Sequence, residues 1–355
     1  MVKLKTIIFF VLLLSIIVLT SGCIDNISEP AKKLSSELNI LNWEDYFYPN
    51  FIEEFHEKYG VTINIFTFDE EDYMISELET KPGSYDFVIA SDAVVRDLIA
   101  VKALAPIDKN NIPNLNNLDH SFLDKSFDPD NKYSIPYLWG TTGIAYNASA
   151  VSENVTSWSS LWDDSFAGRI AMIDNKDEVI GVALNYLGYS INPTNLSQLS
   201  EAEKILIEQK DIITGYFGSR DIVDGLISGS FVISLCYNGD ALYASERNED
   251  IVYTIPDEGA ALWIDCMVIP VDSPHKYTAE IFINYLLEPH VSANITNYQW
   301  YANPNMAAKP YIDDEILDNE GVFLSDDILE NCEFFEVLDS GLVNEMNHIW
   351  SHLQK

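Results

Sequence analysis

The stretch LNILNWEDYFYPNFIEEFHEKYGVTINI, residues 38–65, decides the fold class. It predicts a short apolar strand over residues 38–41, a helix over residues 49–59 with apolar side chains on one face, and a strand in which Ile63 and other apolar residues alternate with polar ones. Gly60 is the natural end of the helix, because glycine readily takes the left-handed conformation found there. This β-α-β order is typical of a parallel sheet covered by helices.

The same alternation continues along the chain. Further helices and strands are predicted at residues 71–79, 85–90, 93–101, 170–173, 179–187 and 231–236. A second α/β unit begins near Gly143. At 355 residues the chain is too long for one typical core and suits two lobes of roughly 150 residues each. The sequence therefore predicts a two-domain α/β protein.

Acidic and aromatic residues follow several predicted strands, where turn residues would have sufficed. In parallel sheets, ligands bind beyond the carboxyl ends of the strands. The strand-end segments of interest are 42–46, Ser91-Asp92, 174–178, 237–240 and 262–265. An alkyl polyamine needs carboxylates for its ammonium groups and aromatic faces for its methylenes. The acids that fit are Asp45, Glu178 and Asp265, and the rings are Trp43, Tyr46, Tyr237, Trp263 and Tyr301.

The charge balance is strongly acidic, with 20 Lys and Arg against 56 Asp and Glu, a formal net charge of −36. Such a field excludes nucleic acid as a partner and attracts cations. An acidic surface suited to a salty medium would have the same composition, so charge alone does not identify the ligand. The sequence contains no Gly-x-Ser-x-Gly elbow, phosphate-binding glycine loop or Cys/His nucleophile pairing, so we expect neither catalysis nor a cofactor.

Residues 1–22 have the pattern of a secretory leader, in which two lysines precede an apolar run and small residues lead to Cys23. This ending resembles a lipobox, in which Cys23 becomes the lipidated first residue of the mature protein. An ordinary signal peptide and an uncleaved anchor are the alternatives. Residues 23–36 then form a polar tether. Each interpretation places the rest outside the cytoplasmic membrane, in the periplasm or at the cell surface.

The other cysteines, Cys236, Cys266 and Cys332, match neither a zinc site nor a disulfide framework. We expect them to be buried as small hydrophobic residues. A disulfide between Cys236 and Cys266 is the alternative, because both fall on strands near the expected site.

Eight motifs in one order make the sequence resemble the spermidine/putrescine-binding, PotD-like branch of the periplasmic binding proteins. The resemblance runs from about residue 38 to the C-terminus. The motifs are NWEDY at 42–46, YDFV at 85–88, SIPYLWG at 134–140, SWSSLW at 157–162, LGYS at 187–190, YNG at 237–239, WID at 263–265 and NPNMAA at 303–308.

The resemblance implies a two-lobed type II periplasmic-binding-protein fold, each lobe a mixed, mainly parallel sheet with helices on both faces. Lobe 1 would comprise residues 37–140 plus 266–302, and lobe 2 residues 141–265 plus 303–355. It also implies a monomeric binding protein, not an enzyme, that delivers a polyamine to the membrane permease of an ABC importer.

The resemblance further assigns roles to individual residues. Trp43, Tyr46, Trp263 and Tyr301 would enclose the ligand; Asp45, Glu178 and Asp265 would pair with its amines; Ser91 and Ser219 would line the slot. The sequence departs from the spermidine binders at Ala93, Asn175, Tyr237 and Phe335, where those proteins carry an aromatic residue, an aspartate, a tryptophan and, near the last position, a glutamine. Asn175 and Tyr237 are kept as expected ligand-binding residues, and the departures make putrescine or a related cation more credible than spermidine alone.

Three other functions stay open at this stage. The same fold could bind another organic cation, such as a thiamine-like molecule, or a metal ion held by oxygens. A lipoprotein that senses a ligand and signals to a membrane receptor would have the same sequence features. An exported enzyme could use Glu178 and Asp265 as a catalytic carboxylate pair.

Overall fold

The computed structural model describes most of the chain after the predicted leader. The described residues are 32–43, 46–68, 70–151 and 154–355. Cys23 and Asp45, with the predicted leader and most of the tether, lie outside these ranges, and the side chain of Asp326 is not described. Residues 35–355 form one compact unit.

Strands in the described residues form one mixed sheet. They are β1 Glu37–Trp43, β2 Thr62–Phe68, β3 Phe87–Ser91, β4 Ser134–Asn147, β5 Ile170–Ile173, β6 Ile213–Phe217, β7 Ile233–Tyr237, β8 Ile251–Thr254, β9 Ala261–Val268 and β10 Glu333–Phe334. The sheet order is β2-β1-β3-β9-β4-β7-β5-β6, with β10 beside β9 and β8 beside β4.

Helices connect and cover these strands. They are α1 Phe51–Tyr59, α2 Glu71–Thr80, α3 Asp92–Ala100, α4 Lys176–Tyr186, α5 Leu196–Lys210, α6 Ser219–Ser228, α7 Asn238–Ser245, α8 Lys276–Leu286, α9 Pro289–Gln299, α10 Asp314–Leu317, α11 Asp326–Leu329 and α12 Ser340–Leu353. None of the helices found between residues 32 and 355 has the length and apolar character needed to cross a bilayer.

Parallel pairing occurs at both ends of the sheet and antiparallel pairing in its middle. Strand β1 runs parallel to β2 and β3, and β5 runs parallel to β6 and β7. Between these groups, β9 pairs antiparallel with β3 and β4, and β4 pairs antiparallel with β7. The predicted mixed α/β fold is confirmed, and the lobe boundaries stay a prediction.

The opening segment folds as its pattern predicts. In β1, Leu38, Ile40 and Leu41 are fully buried or nearly so. Helix α1 buries Phe51 and Phe55, and it ends at Gly60, whose backbone N–H donates to His56 O. The apolar spacing of α1 therefore indicates both the helix and the face that it buries, whereas β1 is buried on both faces around Leu41.

Two apolar cores underlie the two ends of the sheet. One surrounds the fully buried Trp158, whose indole N–H donates to Asn185 Oδ1 at 2.8 Å and to the Gly259 carbonyl at 3.0 Å. The other includes Val88 and Trp139. Because each end has its own core, each can hold side chains rigidly at the intervening strand ends.

The structure corrects the prediction for the segment around Asp265. The sequence pattern suggested a strand end at residue 265 followed by a separate apolar strand, but Trp263 and Asp265 lie inside the single strand β9. The strand is buried on both faces along most of its length, so it lacks the alternation that marks a half-buried strand. Its antiparallel course places Asp265 directly opposite Ser91, the last residue of β3.

The three described cysteines are free thiols, so the alternative disulfide between Cys236 and Cys266 is not formed. Both of these residues are fully buried, which confirms their expected role as small hydrophobic residues. Cys332 is only half-buried, so for this residue the expectation is wrong.

Candidate ligand-binding site

Aromatic side chains from both ends of the sheet form a continuous chain of rings. Trp263 lies 5.4 Å from Tyr301 and 6.1 Å from Tyr237 between ring centroids, at interplanar angles of 77° and 79°. Tyr46 lies 6.4 Å from Tyr301 and 6.4 Å from Trp43. The predicted aromatic residues of the site are therefore neighbours in the folded protein.

Two glycines make room for these rings. A Cβ atom at Gly140 would lie 2.2 Å from Cζ2 of Trp263, and one at Gly239 would lie 2.0 Å from Cζ of Tyr301. Both distances are far inside van der Waals contact, so a side chain at either position would displace a ring. These glycines belong to the SIPYLWG and YNG motifs, and their packing role explains why those motifs end in glycine.

Asp265 is a buried acid at the edge of the ring chain. It is 5% exposed, and its Oδ2 accepts a hydrogen bond of 2.6 Å from the Tyr46 hydroxyl. Burial raises the pKa of Asp265 to about 7. The hydrogen bond from Tyr46 lowers this pKa, and the charge of Glu71 raises it. The carboxyl therefore resists ionisation in the absence of a cation.

Glu178, in the first turn of α4, is the second predicted acid and is 3% exposed. Its Oε1 accepts a hydrogen bond of 2.8 Å from the Thr142 hydroxyl, whereas Oε2 is buried without a partner in the part of the chain that the structure describes. Burial raises the pKa of Glu178 to about 8, and the charges of Asp92 and Asp177 raise it as well. An unpartnered buried carboxylate oxygen is costly unless something not present in the chain binds it.

The predicted polar residues support these acids and rings. Asn175 caps α4 by accepting from the backbone N–H groups of Asp177 and Glu178, and its Nδ2 donates to the Tyr237 hydroxyl at 3.3 Å. Ser91 caps α3 by accepting from the N–H of Val94 at 3.4 Å.

Ser219 opens α6, and its hydroxyl opposes the effect of burial on the pKa of Asp240. Nine of the eleven predicted ligand-binding residues are connected by ring contacts, hydrogen bonds or strand pairing, Ser219 acts on the neighbouring Asp240, and Asp45 lies outside the described residues. Their contact with a ligand stays a prediction.

Three further acids lie beside this region and were not selected from the sequence. Asp92 is 7% exposed, and burial raises its pKa to about 7. Burial also raises the pKa of Asp240 to about 6. The pKa of Glu71 is raised as well, again by burial, and its Oε1 accepts a hydrogen bond from the N–H of Ser91 at 3.4 Å. Asp92 and Asp240 stand in the quoted strand-end segments, so position could have indicated them; nothing in the sequence indicated Glu71.

No ion pair between described residues balances these acids, although the charge of Arg96 lowers the pKa of Asp92. Every ion pair between described residues lies elsewhere, and none includes Glu71, Asp92, Glu178, Asp240 or Asp265. The indole N–H groups of Trp43 and Trp263 are also buried without a partner. The region therefore holds polar groups that the folded chain itself leaves unmatched, as expected of a site that binds a ligand.

The described side chains contain no group of three or more His, Cys, Asp or Glu residues that could hold a metal ion. The acids are instead interspersed with aromatic faces. Ammonium groups are attracted both to carboxylates and to such faces. Chemically, the arrangement suits an organic cation with an apolar middle.

Comparisons with other proteins identify the family of the chain. Residues 50–323 match the model of a family described as bacterial extracellular solute-binding protein. The chain is 32% identical over 302 residues to the spermidine/putrescine-binding periplasmic protein of Escherichia coli (strain K12), covering 84% of this chain and 86% of that protein. It is 30% identical over 346 residues to the putrescine/agmatine-binding protein of Pseudomonas aeruginosa, covering 92% and 94% respectively.

A solved structure is also similar. It is the spermidine/putrescine ABC transporter substrate-binding protein PotD from Streptococcus pneumoniae, in complex with calcium and HEPES. The match has a TM-score of 0.83 at 31% identity and covers 90% of this chain and 99% of that chain.

Proposed function

The chain belongs to the family of bacterial extracellular solute-binding proteins, and we propose that it captures a polyamine, putrescine or spermidine, for delivery to an ABC importer. One observation carries the proposal: buried carboxyls without a cationic partner, Glu178 and Asp265 among them, lie along a chain of aromatic rings. The names of the similar proteins from E. coli and P. aeruginosa support it.

In this function the carboxylates bind the ammonium groups of the ligand, and the aromatic rings bind its methylenes. One ammonium group pairs with Asp265, which Tyr46 holds in position. Another pairs with Glu178, whose Oε2 is free to accept. The methylenes between them pack on Trp263 and Tyr301.

The protein acts outside the cytoplasmic membrane as a monomer. Residues 1–22 direct export, Cys23 carries the lipid anchor and residues 23–36 form the tether. The two lobes close over the ligand by a hinge motion, and the closed form docks on the permease. It performs no chemical reaction. Mass spectrometry of the exported protein tests the anchor: the expected N-terminus is a diacylated Cys23, and an unmodified N-terminus would contradict it.

A thermal-shift panel on the full-length protein in detergent tests the ligand. A bound ligand stabilises the protein by RT ln(1 + [L]/Kd), so tight ligands raise the melting temperature most. We expect stabilisation by putrescine or spermidine and none by thiamine, calcium or magnesium. Stabilisation by a divalent metal alone, or by thiamine alone, would contradict the proposal.

Uptake of labelled putrescine separates transport from sensing. Deletion of the gene should abolish high-affinity uptake by the cells. Normal uptake after deletion would assign the protein to ligand sensing instead.

A further inference from the structure

Asp92 is a buried acid for which neither helix capping nor an ion pair accounts. It is the first residue of α3 and is 7% exposed. The helix already has a cap, because the Ser91 hydroxyl accepts from the N–H of Val94. Among the described residues, Asp92 Oδ1 accepts only from the adjacent N–H of Ala93, at 3.0 Å. Burying a carboxylate with so little compensation is unfavourable for the unliganded protein.

Its position places Asp92 among the acids of the proposed site. Ser91 pairs with Asp265 in the ladder between β3 and β9, and Asp92 follows Ser91 directly. Burial raises the pKa of Asp92, the hydrogen bond from the Ala93 N–H lowers it, the charges of Asp265 and Glu71 raise it, and the charge of Arg96 lowers it. Asp92 is also the first charge that raises the pKa of Glu178. The strand register therefore places Asp92 beside Asp265, and the acids of this region disfavour one another's ionisation.

A separate observation indicates that a ligand belongs here. Glu178 is 97% buried, being 3% exposed, and its Oε2 has no hydrogen-bond partner. Its only described side-chain partner is the Thr142 hydroxyl on the other oxygen. A cation bound in this region would supply the partner that Oε2 lacks, and its charge would favour the ionised forms of the nearby acids.

We propose that Asp92 is a third ligand-binding carboxylate, which shares one ammonium group of the ligand with Asp265. The inference rests on the proposed function and makes it more specific. One end of the ligand meets Asp265, Tyr46 and Asp92, and the other meets Glu178. The site therefore selects a primary alkylammonium at the end that meets two acids, because a primary ammonium has three N–H donors for several acceptors, whereas a quaternary ammonium has none.

The structural alternative is that Asp92 only stabilises the start of α3 through the helix dipole. An asparagine can accept the same hydrogen bond from Ala93 without carrying a charge. Asp92→Asn therefore keeps the local geometry and removes only the charge. A purely structural role predicts unchanged ligand binding.

Isothermal titration of putrescine and spermidine into the full-length protein in detergent tests the inference. We expect Asp92→Asn to weaken binding about 10- to 100-fold, the range expected for one charge-assisted hydrogen bond. The control is Asp97→Asn on the same helix, whose carboxylate is 69% exposed and pairs with Arg96; its affinity should stay within about twofold of the wild type. Wild-type affinity in Asp92→Asn would overturn the inference while leaving the proposed function intact.

A second variant and a measurement of proton release distinguish a ligand-binding role of Asp92 from a structural one. Asp92→Glu retains the charge and should bind more tightly than Asp92→Asn; equal binding of the two variants would contradict the inference. Titration in two buffers with different ionisation enthalpies gives the protons released on binding near pH 7. The wild type should release more protons than Asp92→Asn, and equal release would also contradict it. A wild type that binds no polyamine at all would overturn the proposed function and this inference with it.

Discussion

The hydroxyl of Tyr46 donates a hydrogen bond of 2.6 Å to Oδ2 of Asp265, a residue 219 positions later in the sequence. Tyr46 is itself held, because the Tyr137 hydroxyl donates to the Tyr46 carbonyl at 3.0 Å. A hydrogen bond to a carboxylate favours its charged form, so Tyr46 opposes the effect of burial on the pKa of Asp265. An acid oriented in this way is prepared for a cation before the cation arrives.

Asp265→Asn should weaken polyamine binding by at least ~2 kcal/mol, because an ammonium group would lose its buried counter-charge. Isothermal titration at pH 8 measures the change. Asp272→Asn, at an exposed position on the same chain segment, is the matched control and should bind normally. An unchanged affinity in Asp265→Asn would remove Asp265 from the site.

Tyr46→Phe should raise the pKa of Asp265, because the hydrogen bond that stabilises its charged form is lost. Affinity at pH 7 should fall by about 1 kcal/mol, and the loss should shrink at higher pH. Tyr48→Phe is the control, since the Tyr48 hydroxyl bonds to Glu54 in an exposed pair. A loss of affinity that is the same at every pH would show that Tyr46 acts only by contact.

Binding should strengthen as the pH rises from about 6 to about 8.5. Burial raises the pKa values of Asp92 and Asp265 to about 7 and that of Glu178 to about 8, so all three are protonated at the lower pH. Alkylammonium groups, with pKa values near 10, keep their charge across this range. Titrations at several pH values check the slope, and an affinity that is constant or that falls with pH would contradict the account.

The unliganded protein should be stabilised by Glu178→Gln at alkaline pH. The folded protein holds the Glu178 proton up to a pKa of about 8, so it binds protons more tightly than the unfolded chain, and stability falls as pH rises from about 4 to about 8. At pH 9 the variant should be more stable by at least ~2 kcal/mol, with little difference at pH 4.

Chemical denaturation at both pH values measures this difference in the free energy of unfolding. Glu208→Gln, at an exposed position of α5, should change little at either pH. Equal stability of the wild type and Glu178→Gln at pH 9 would show that Glu178 is not held in a charge-disfavouring environment.

Local patterns in the sequence determine much of the fold. Apolar spacing located α1, because the helix buries one face in a recognisable period. A short apolar run located β1, in which the consecutive residues Ile40, Leu41 and Asn42 are all buried. The strand β9 was divided wrongly, because a strand buried on both faces has no such period. The antiparallel pairing that brings Asp265 to Ser91 depends on contacts between distant parts of the chain, which no local pattern reveals.

Trp263 and Tyr301 were expected together, and their rings are in contact. Asp92 and Asp240 stand in the strand-end segments but were not selected. An acid at the start of a helix also stabilises the helix dipole, so position alone does not indicate a ligand-binding role. Only the folded structure shows that Asp92 is 93% buried, being 7% exposed, and close to other acids.

The most direct measurement is an isothermal titration of putrescine and spermidine into the full-length protein at pH 8, with calcium chloride titrated separately. The account predicts that at least one polyamine binds with one-to-one stoichiometry and a Kd of about 1 μM or below, and that calcium produces no saturable heat. Absence of binding by both polyamines, or saturable binding of calcium alone, would contradict it.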